Sequence, residues 1–198
     1  MKDDYHFFAT VSRMKYIQRW ALMRSSRPEN LSEHALEVAM IAHALCSLGN
    51  VRYGKQLNGE RAALMAIYHD ASEIITGDMP TPVKYYSGEI RDAYKHVEQI
   101  ANEELLQQLP EDLREIYAPV LKMQDEELLP YVKAADKLSA YIKCIEEERA
   151  GNTEFGSAAA STRKILEQQA ESMPEIRDFM AEFLSSYGST LDELLARI

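Results

Sequence analysis

The residues Ala62-Ala63-Leu64-Met65-Ala66-Ile67-Tyr68-His69-Asp70-Ala71-Ser72-Glu73-Ile74-Ile75, closed by Gly77, decide the fold. Apolar side chains recur through them every three or four positions, which is the period of a helix and not of a strand. The pattern opens after Asn58-Gly59 and predicts a helix running to about Ile75, with His69, Asp70 and Glu73 in its last turns. A plain core helix would carry aliphatic side chains at such positions, so three ionisable groups there call for an explanation. Glu73 lies four residues from His69 and three from Asp70 and can share their side of a helix. His69 and Asp70 diverge by about 100° on a helix. They can serve one ion only if it sits between their two directions and neighbouring helices supply further ligands.

The same periodicity holds through most of the chain and predicts an all-α protein. A first helix is expected over Phe7 to about Ala21, with Val11, Met14 and Ile17 on one face and Arg19 and Trp20 near its end. Asn30, with Glu33 as a capping-box partner, would start a second helix that carries His34 in its first turns and stops at Gly49-Asn50. The segment Gly77 to Pro82 reads as a loop, since two prolines remove donors and restrict the residues before them. Further helices are expected at about 89–109, 111–122, 127–150, 157–172, 175–187 and 190–197, the last with Thr190 and Glu193 as a capping box. Residues 1–198 read as one domain, with the helices of about 153–198 packing on it or extending it.

Apolar residues make up 46% of the 198 and charged residues 27%, a globular balance. A net charge of -10 without a basic cluster would repel a nucleic-acid polymer, although a small anionic substrate needs only a few local cations or a metal. Cys46 and Cys144 lack zinc-site or redox spacing and read as two buried thiols of a reducing compartment. The start Met1-Lys2-Asp3-Asp4 has no apolar signal region, and no stretch approaches the roughly 20 apolar residues of a membrane span, so a cytoplasmic protein is expected. Glu146-Glu147-Glu148 reads as a solvated face.

An imidazole with carboxylates suits Mn, Co, Fe, Ni or Zn, whereas calcium and magnesium prefer oxygen alone. His34 and Asp136, the latter a carboxylate interrupting a largely apolar helix, are the remote residues able to join His69 and Asp70. Spacing alone does not establish a shared site, and a lone His-Asp dipeptide is weak evidence for one.

The order His34, His69-Asp70, Asp136 resembles the H…HD…D signature of the HD-domain phosphohydrolases, which implies a compact helical HD-domain bundle. Arg19-Trp20, Ser32-Glu33-His34, His69-Asp70-Ala71-Ser72-Glu73 and Thr76 to Tyr85 further resemble the bacterial 5'-deoxynucleotidase family, over a span from about Phe7 to Asn152. The resemblance implies hydrolysis of deoxyribonucleoside 5'-monophosphates by one divalent cation, Co, Mn or similar, held by His34, His69, Asp70 and Asp136. It puts Glu73 and Asp78 in the catalytic roles, with base and acid unassigned between them. It also implies that Arg19 grips the phosphate, that Trp20 packs near the sugar and excludes a 2'-hydroxyl, and that Asp78, Met79, Pro80 and Thr81 line the pocket. Family members resemble homodimers. The rival readings are another HD hydrolase, acting on a cyclic nucleotide, a triphosphate or an alarmone, and a non-catalytic helical sensing module. Lys84 fits a phosphate contact and a surface role equally, and Trp20 alone would fit an ordinary core aromatic.

Overall fold

The computed structural model describes residues 4–196. Its regular elements are α1 (Phe7–Val11), a 3-10 turn (Ser12–Tyr16), α2 (Leu31–Tyr53), α3 (Gly59–Tyr68), α4 (Glu73–Thr76), α5 (Thr81–Lys84), α6 (Gly88–Gln107), α7 (Glu111–Leu121), α8 (Leu129–Arg149), α9 (Gly156–Gln169), α10 (Pro174–Glu182) and α11 (Leu191–Leu195), with short 3-10 turns at Thr153–Phe155 and Leu184–Ser186. No strand occurs among the described residues, so the all-α expectation stands. The readings for Met1 to Asp3 and for the last residues of the final helix lie outside the described residues.

α2 is the axis of the bundle and packs against α3 and α8. Its buried face, Val38, Ile41, Ala42 and Leu45, meets Met65 and Ala66 of α3 and Leu138 and Ile142 of α8, and the same apolar cluster reaches Leu166, Ile176 and Phe179 of the C-terminal helices. Fully burying each such aliphatic chain contributes roughly 1.5–3 kcal/mol, so this seam fixes how α2 and α8 face one another. Two smaller clusters seat the polar stretch. Phe7, Ala71, Leu105, Leu106, Leu109 and Leu121 form one, and Met14, Leu31 and Ala35, with Ile17 and Ile74 against them, form the other.

Several boundaries differ from expectation. The first segment is not one α-helix to Ala21: it tightens into a 3-10 turn after Val11 and ends at Tyr16. Val11, Met14 and Ile17 are spaced by three, the 3-10 repeat, and all pack in one small cluster. α2 runs through Gly49-Asn50 to Gly54, which takes the left-handed conformation at φ 65°. Gly49 serves close packing instead of a stop, since a Cβ there would lie 2.7 Å from Glu175 Oε1 and 2.9 Å from Leu57. Asn30 caps α2 through the Ser32 and Glu33 N–H groups, but Glu33 accepts from Arg27 and does not close a capping box. The expected helix over 59–75 breaks after Tyr68 into a turn at His69–Ser72, followed by α4. Pro82 sits in the first turn of α5, where its missing N–H has no helical partner to lose. Thr190 and Glu193 form the expected capping box.

Both cysteines are free and buried, and burial pushes their thiols up to about 11 for Cys46 and about 12 for Cys144. No described helix is long and apolar enough to cross a membrane.

Candidate active site

The turn that replaces the end of the expected helix brings adjacent residues to one point. Its N–H groups bond three residues back, Ala71 to Tyr68 at 3.0 Å and Glu73 to Asp70 at 3.0 Å. His69 Nε2 and Asp70 Oδ2 lie 3.1 Å apart. His34, in the first turns of α2, comes in from one side, with Nε2 3.7 Å from Asp70 Oδ2. Asp136 comes from the middle of α8, with Oδ1 3.1 Å from His34 Nε2. One ligand atom each from His34, His69 and Asp136 falls within 4.8 Å of the others. The structure therefore gathers His34, His69, Asp70 and Asp136 from three separated segments.

These residues fit a divalent transition-metal cation. Donors at about 2.0–2.2 Å from a common ion stand roughly 3–3.5 Å from one another; the His34–Asp136 and His69–Asp70 separations of 3.1 Å match this, and His34–Asp70 at 3.7 Å is slightly wider. His69 Nδ1 must donate to the Ala66 carbonyl at 2.6 Å, since a carbonyl oxygen only accepts, and Nε2 is left buried without a hydrogen-bond partner. Charge tells the same story. Burial works against a proton on His69, but Asp70 and Asp136 outweigh it and raise the imidazole to about 9. Burial likewise disfavours charge on Asp70, yet His69 and His34 hold it at about 2, and His34 and His69 hold Asp136 well below the usual range. The cluster is short of positive charge. Burial, then Arg19, lowers the His34 pKa, which favours the neutral imidazole that a metal ligand needs.

Arg19 and Trp20 reach this cluster from an irregular segment, not from a helix end. Arg19 N donates to the Glu29 carbonyl at 2.9 Å and Leu31 N to the Ile17 carbonyl at 3.0 Å, a two-bond clamp that lays residues 17–20 along the start of α2. Arg19 Nη1 is 3.3 Å from Asp70 Oδ2, and Nε is 3.1 Å from Glu29 Oε2. Burial disfavours its charge, but Asp70, Asp136, Glu29 and Asp78 around it raise its pKa. Trp20 adopts φ 61°, donates its indole N–H to Glu29 Oε2 at 2.8 Å and rests on Phe155, ring centroids 5.3 Å apart.

Glu73 opens α4, is 7% exposed and has one carboxylate oxygen buried without a partner. Burial, then Asp70 and Asp78, raise it to about 9. Asp78 is half-buried beyond the Gly77 turn; burial raises its pKa against the pull of Arg19 and of the Trp20 backbone N–H that faces it. Tyr94 pins that turn by donating its hydroxyl to the Gly77 carbonyl at 3.1 Å. Met79 and Pro80 are half-buried and Thr81 is exposed at the start of α5. Lys84 pairs with Glu98 at 2.9 Å over the Tyr94 ring, close enough to Glu73 to oppose its raised pKa.

The family model of 5'-deoxynucleotidase YfbR-like proteins matches residues 6–187. The chain belongs to the YfbR-like 5'-deoxynucleotidase family. Relatives of this YfbR-like chain from Salmonella paratyphi B and Salmonella newport, each named 5'-deoxynucleotidase YfbR, are 51% identical over 191 residues, which is 96% of this chain and 95% of theirs. An HD-domain phosphohydrolase from Listeria innocua superposes with a TM-score of 0.79 at 22% identity, covering 92% of this chain and 88% of that one. A cyanophage S-2L HD phosphohydrolase, solved with dA and one catalytic Zn²⁺ ion, gives a TM-score of 0.64 at 18% identity, covering 90% of this chain and 96% of that one. These two likenesses show that the YfbR-like chain has the HD-domain fold.

Some supports of the YfbR-like site carry no sequence signal. Glu29, which holds both Arg19 and Trp20, looks like any surface acid before α2. Glu146 and Glu148 are exposed, as a solvated face would be, but Glu147 departs from that reading. It is 1% exposed, paired with Lys143, and accepts from Ser26 N at 2.7 Å and Asn152 Nδ2 at 2.8 Å, which anchors the loop leading from Trp20 to α2.

Proposed function

We propose that this chain is a metal-dependent 5'-deoxynucleotidase that hydrolyses deoxyribonucleoside 5'-monophosphates to deoxyribonucleosides and phosphate. The observation that carries the reading is the convergence of His34, His69, Asp70 and Asp136 beside a largely buried Arg19, in a chain of the 5'-deoxynucleotidase family. In this reading those four residues hold one divalent cation such as Co²⁺ or Mn²⁺. When bound, it polarises the phosphoryl group and lowers the pKa of water.

The rest belongs to the chain's own groups. Arg19 can offer its guanidinium to phosphate oxygens in charge-assisted pairs, with Glu29 holding its Nε side. Trp20 forms a wall against the sugar that leaves no partner for a 2'-hydroxyl. Glu73 and Asp78, both with raised pKa values, handle the protons: water gives one up as its oxygen bonds to phosphorus, and the departing 5'-oxygen takes one as its bond to phosphorus breaks. Asp78, Met79, Pro80 and Thr81 flank the substrate. The working form is a homodimer.

Metal-stripped protein is incubated with dAMP, dCMP, dTMP, AMP and cyclic AMP, with and without Co²⁺ or Mn²⁺, and phosphate release is followed. Metal-dependent release from the deoxy monophosphates and little from AMP is the expected result. No release from any monophosphate, with metal bound, overturns the reading in favour of another HD hydrolase. Light scattering at twice 22.6 kDa checks the dimer.

A further inference from the structure

We propose that Glu37 and Ser139 form a hydrogen-bond relay that fixes the His34 tautomer and so makes its Nε2 available to a metal cation. Neither residue belongs to the ligand cluster. Glu37 lies three residues beyond His34 on α2, and Ser139 lies three residues beyond Asp136 on α8, so each helix that supplies a ligand also supplies a support on the same face. Ser139 is fully buried. Its Oγ stands 3.0 Å from His34 Nδ1 and 2.5 Å from Glu37 Oε2.

Proton counting gives the chain its direction. A histidine whose Nε2 lone pair is given to a cation carries its proton on Nδ1, which must donate. Ser139 Oγ is the acceptor there. The hydroxyl has a single proton, which goes to the Glu37 carboxylate. Without an acceptor at 37, that proton is free to turn onto Nδ1, and the ring then keeps its own proton on Nε2, the atom meant for the metal. Glu37 is therefore a positioning residue acting through Ser139 and His34. His69 achieves the same end with the Ala66 carbonyl, an acceptor that cannot donate. Partners of this kind are worth about 10–100-fold in metal affinity.

The relay rests on the reading of His34 as a metal ligand, and the experiment separates the two. Co²⁺ affinity is measured by chelator competition on metal-stripped full-length wild type, D136N, S139A, E37A and E37Q, with melting in EDTA as the check on folding. Expected are losses of about 10–100-fold in S139A and in E37A, with affinity retained in E37Q, whose amide oxygen still accepts from Ser139. S139A and E37A as tight as wild type overturn the relay while leaving the metal site intact. Equal losses in E37Q and E37A also overturn it, because charge and not an acceptor would then be the requirement. Wild type no tighter than D136N removes the metal reading itself, and the relay with it.

Discussion

The Trp20 indole N–H and the Glu29 carboxylate meet at 2.8 Å, and the oxygen that accepts it also takes the Arg19 Nε–H at 3.1 Å. One carboxylate oxygen thus orients both the group proposed to grip phosphate and the wall proposed to meet the sugar. Glu29→Ala should loosen both at once. Hydrogen bonds to a charged group are worth about 1.5–3 kcal/mol, so KM for dAMP should rise by about tenfold or more with kcat less affected. Steady-state kinetics check this; an unchanged KM would show that Arg19 holds its place through Asp70 alone.

Trp20→Ala should admit a ribose. Leaving a hydroxyl unpaired costs about 1–3 kcal/mol, so removing the wall should narrow the preference for dAMP over AMP by roughly tenfold. The ratio of kcat/KM values for the two substrates is the readout.

Glu73→Gln separates proton handling from metal binding. Loss of a general acid or base lowers turnover by about 10²–10⁴-fold. Co²⁺ affinity should stay at the wild-type level, whereas Asp136→Asn should lose it. A Glu73→Gln protein that binds Co²⁺ as poorly as Asp136→Asn would place Glu73 among the ligands.

Glu147 links stability to acid. Burial alone would raise its pKa, but hydrogen bonds from Lys143, Asn152 and Ser26 outweigh that and hold it well below the usual carboxylate range. A depressed folded-state pKa contributes stability that is present above the unfolded value, about 4.3, and is lost as pH falls toward the folded one. Glu147→Gln should therefore melt well below wild type at pH 7, with the gap closing as pH drops below about 4. A gap independent of pH would mean that packing, not charge, is what the substitution removes.

Phe155 is fully buried between Trp20 and the Lys143 ammonium. Phe155→Ala should cost about 3–5 kcal/mol in urea unfolding. It should also widen the sugar tolerance, because the indole loses its backing.

The architecture was legible because apolar spacing is a local property that α2, α6 and α8 obey over many turns. His69, Asp70 and Asp136 are polar residues where aliphatic ones are expected, the H…HD…D resemblance adds His34 to them, and the four converge. What failed depended on the rest of the chain. Val11, Met14 and Ile17 fit both helix periods, and only packing against Leu31 and Ala35 chooses the tighter one. Gly49 looks like a stop until Glu175 and Leu57 arrive beside it. Glu29, Glu37, Ser139 and Glu147 act through partners distant in sequence or in another helix, so nothing in their own neighbourhood announces them.

The break between α3 and α4 has one more implication. Residues 59–76 contain no glycine or proline between Tyr68 and Glu73, and their own preference is to continue as helix. Ala71 and Ile74 are drawn instead into two different apolar clusters, one built with Phe7 and Leu105, the other with Met14 and Leu31. Local preference and global fold are frustrated against each other at the very point where His69 and Asp70 must face one spot. An excised peptide spanning this segment would be a marginal helix in water with nothing to hold those two side chains together, so the dipeptide is a half-site only while the surrounding domain holds it.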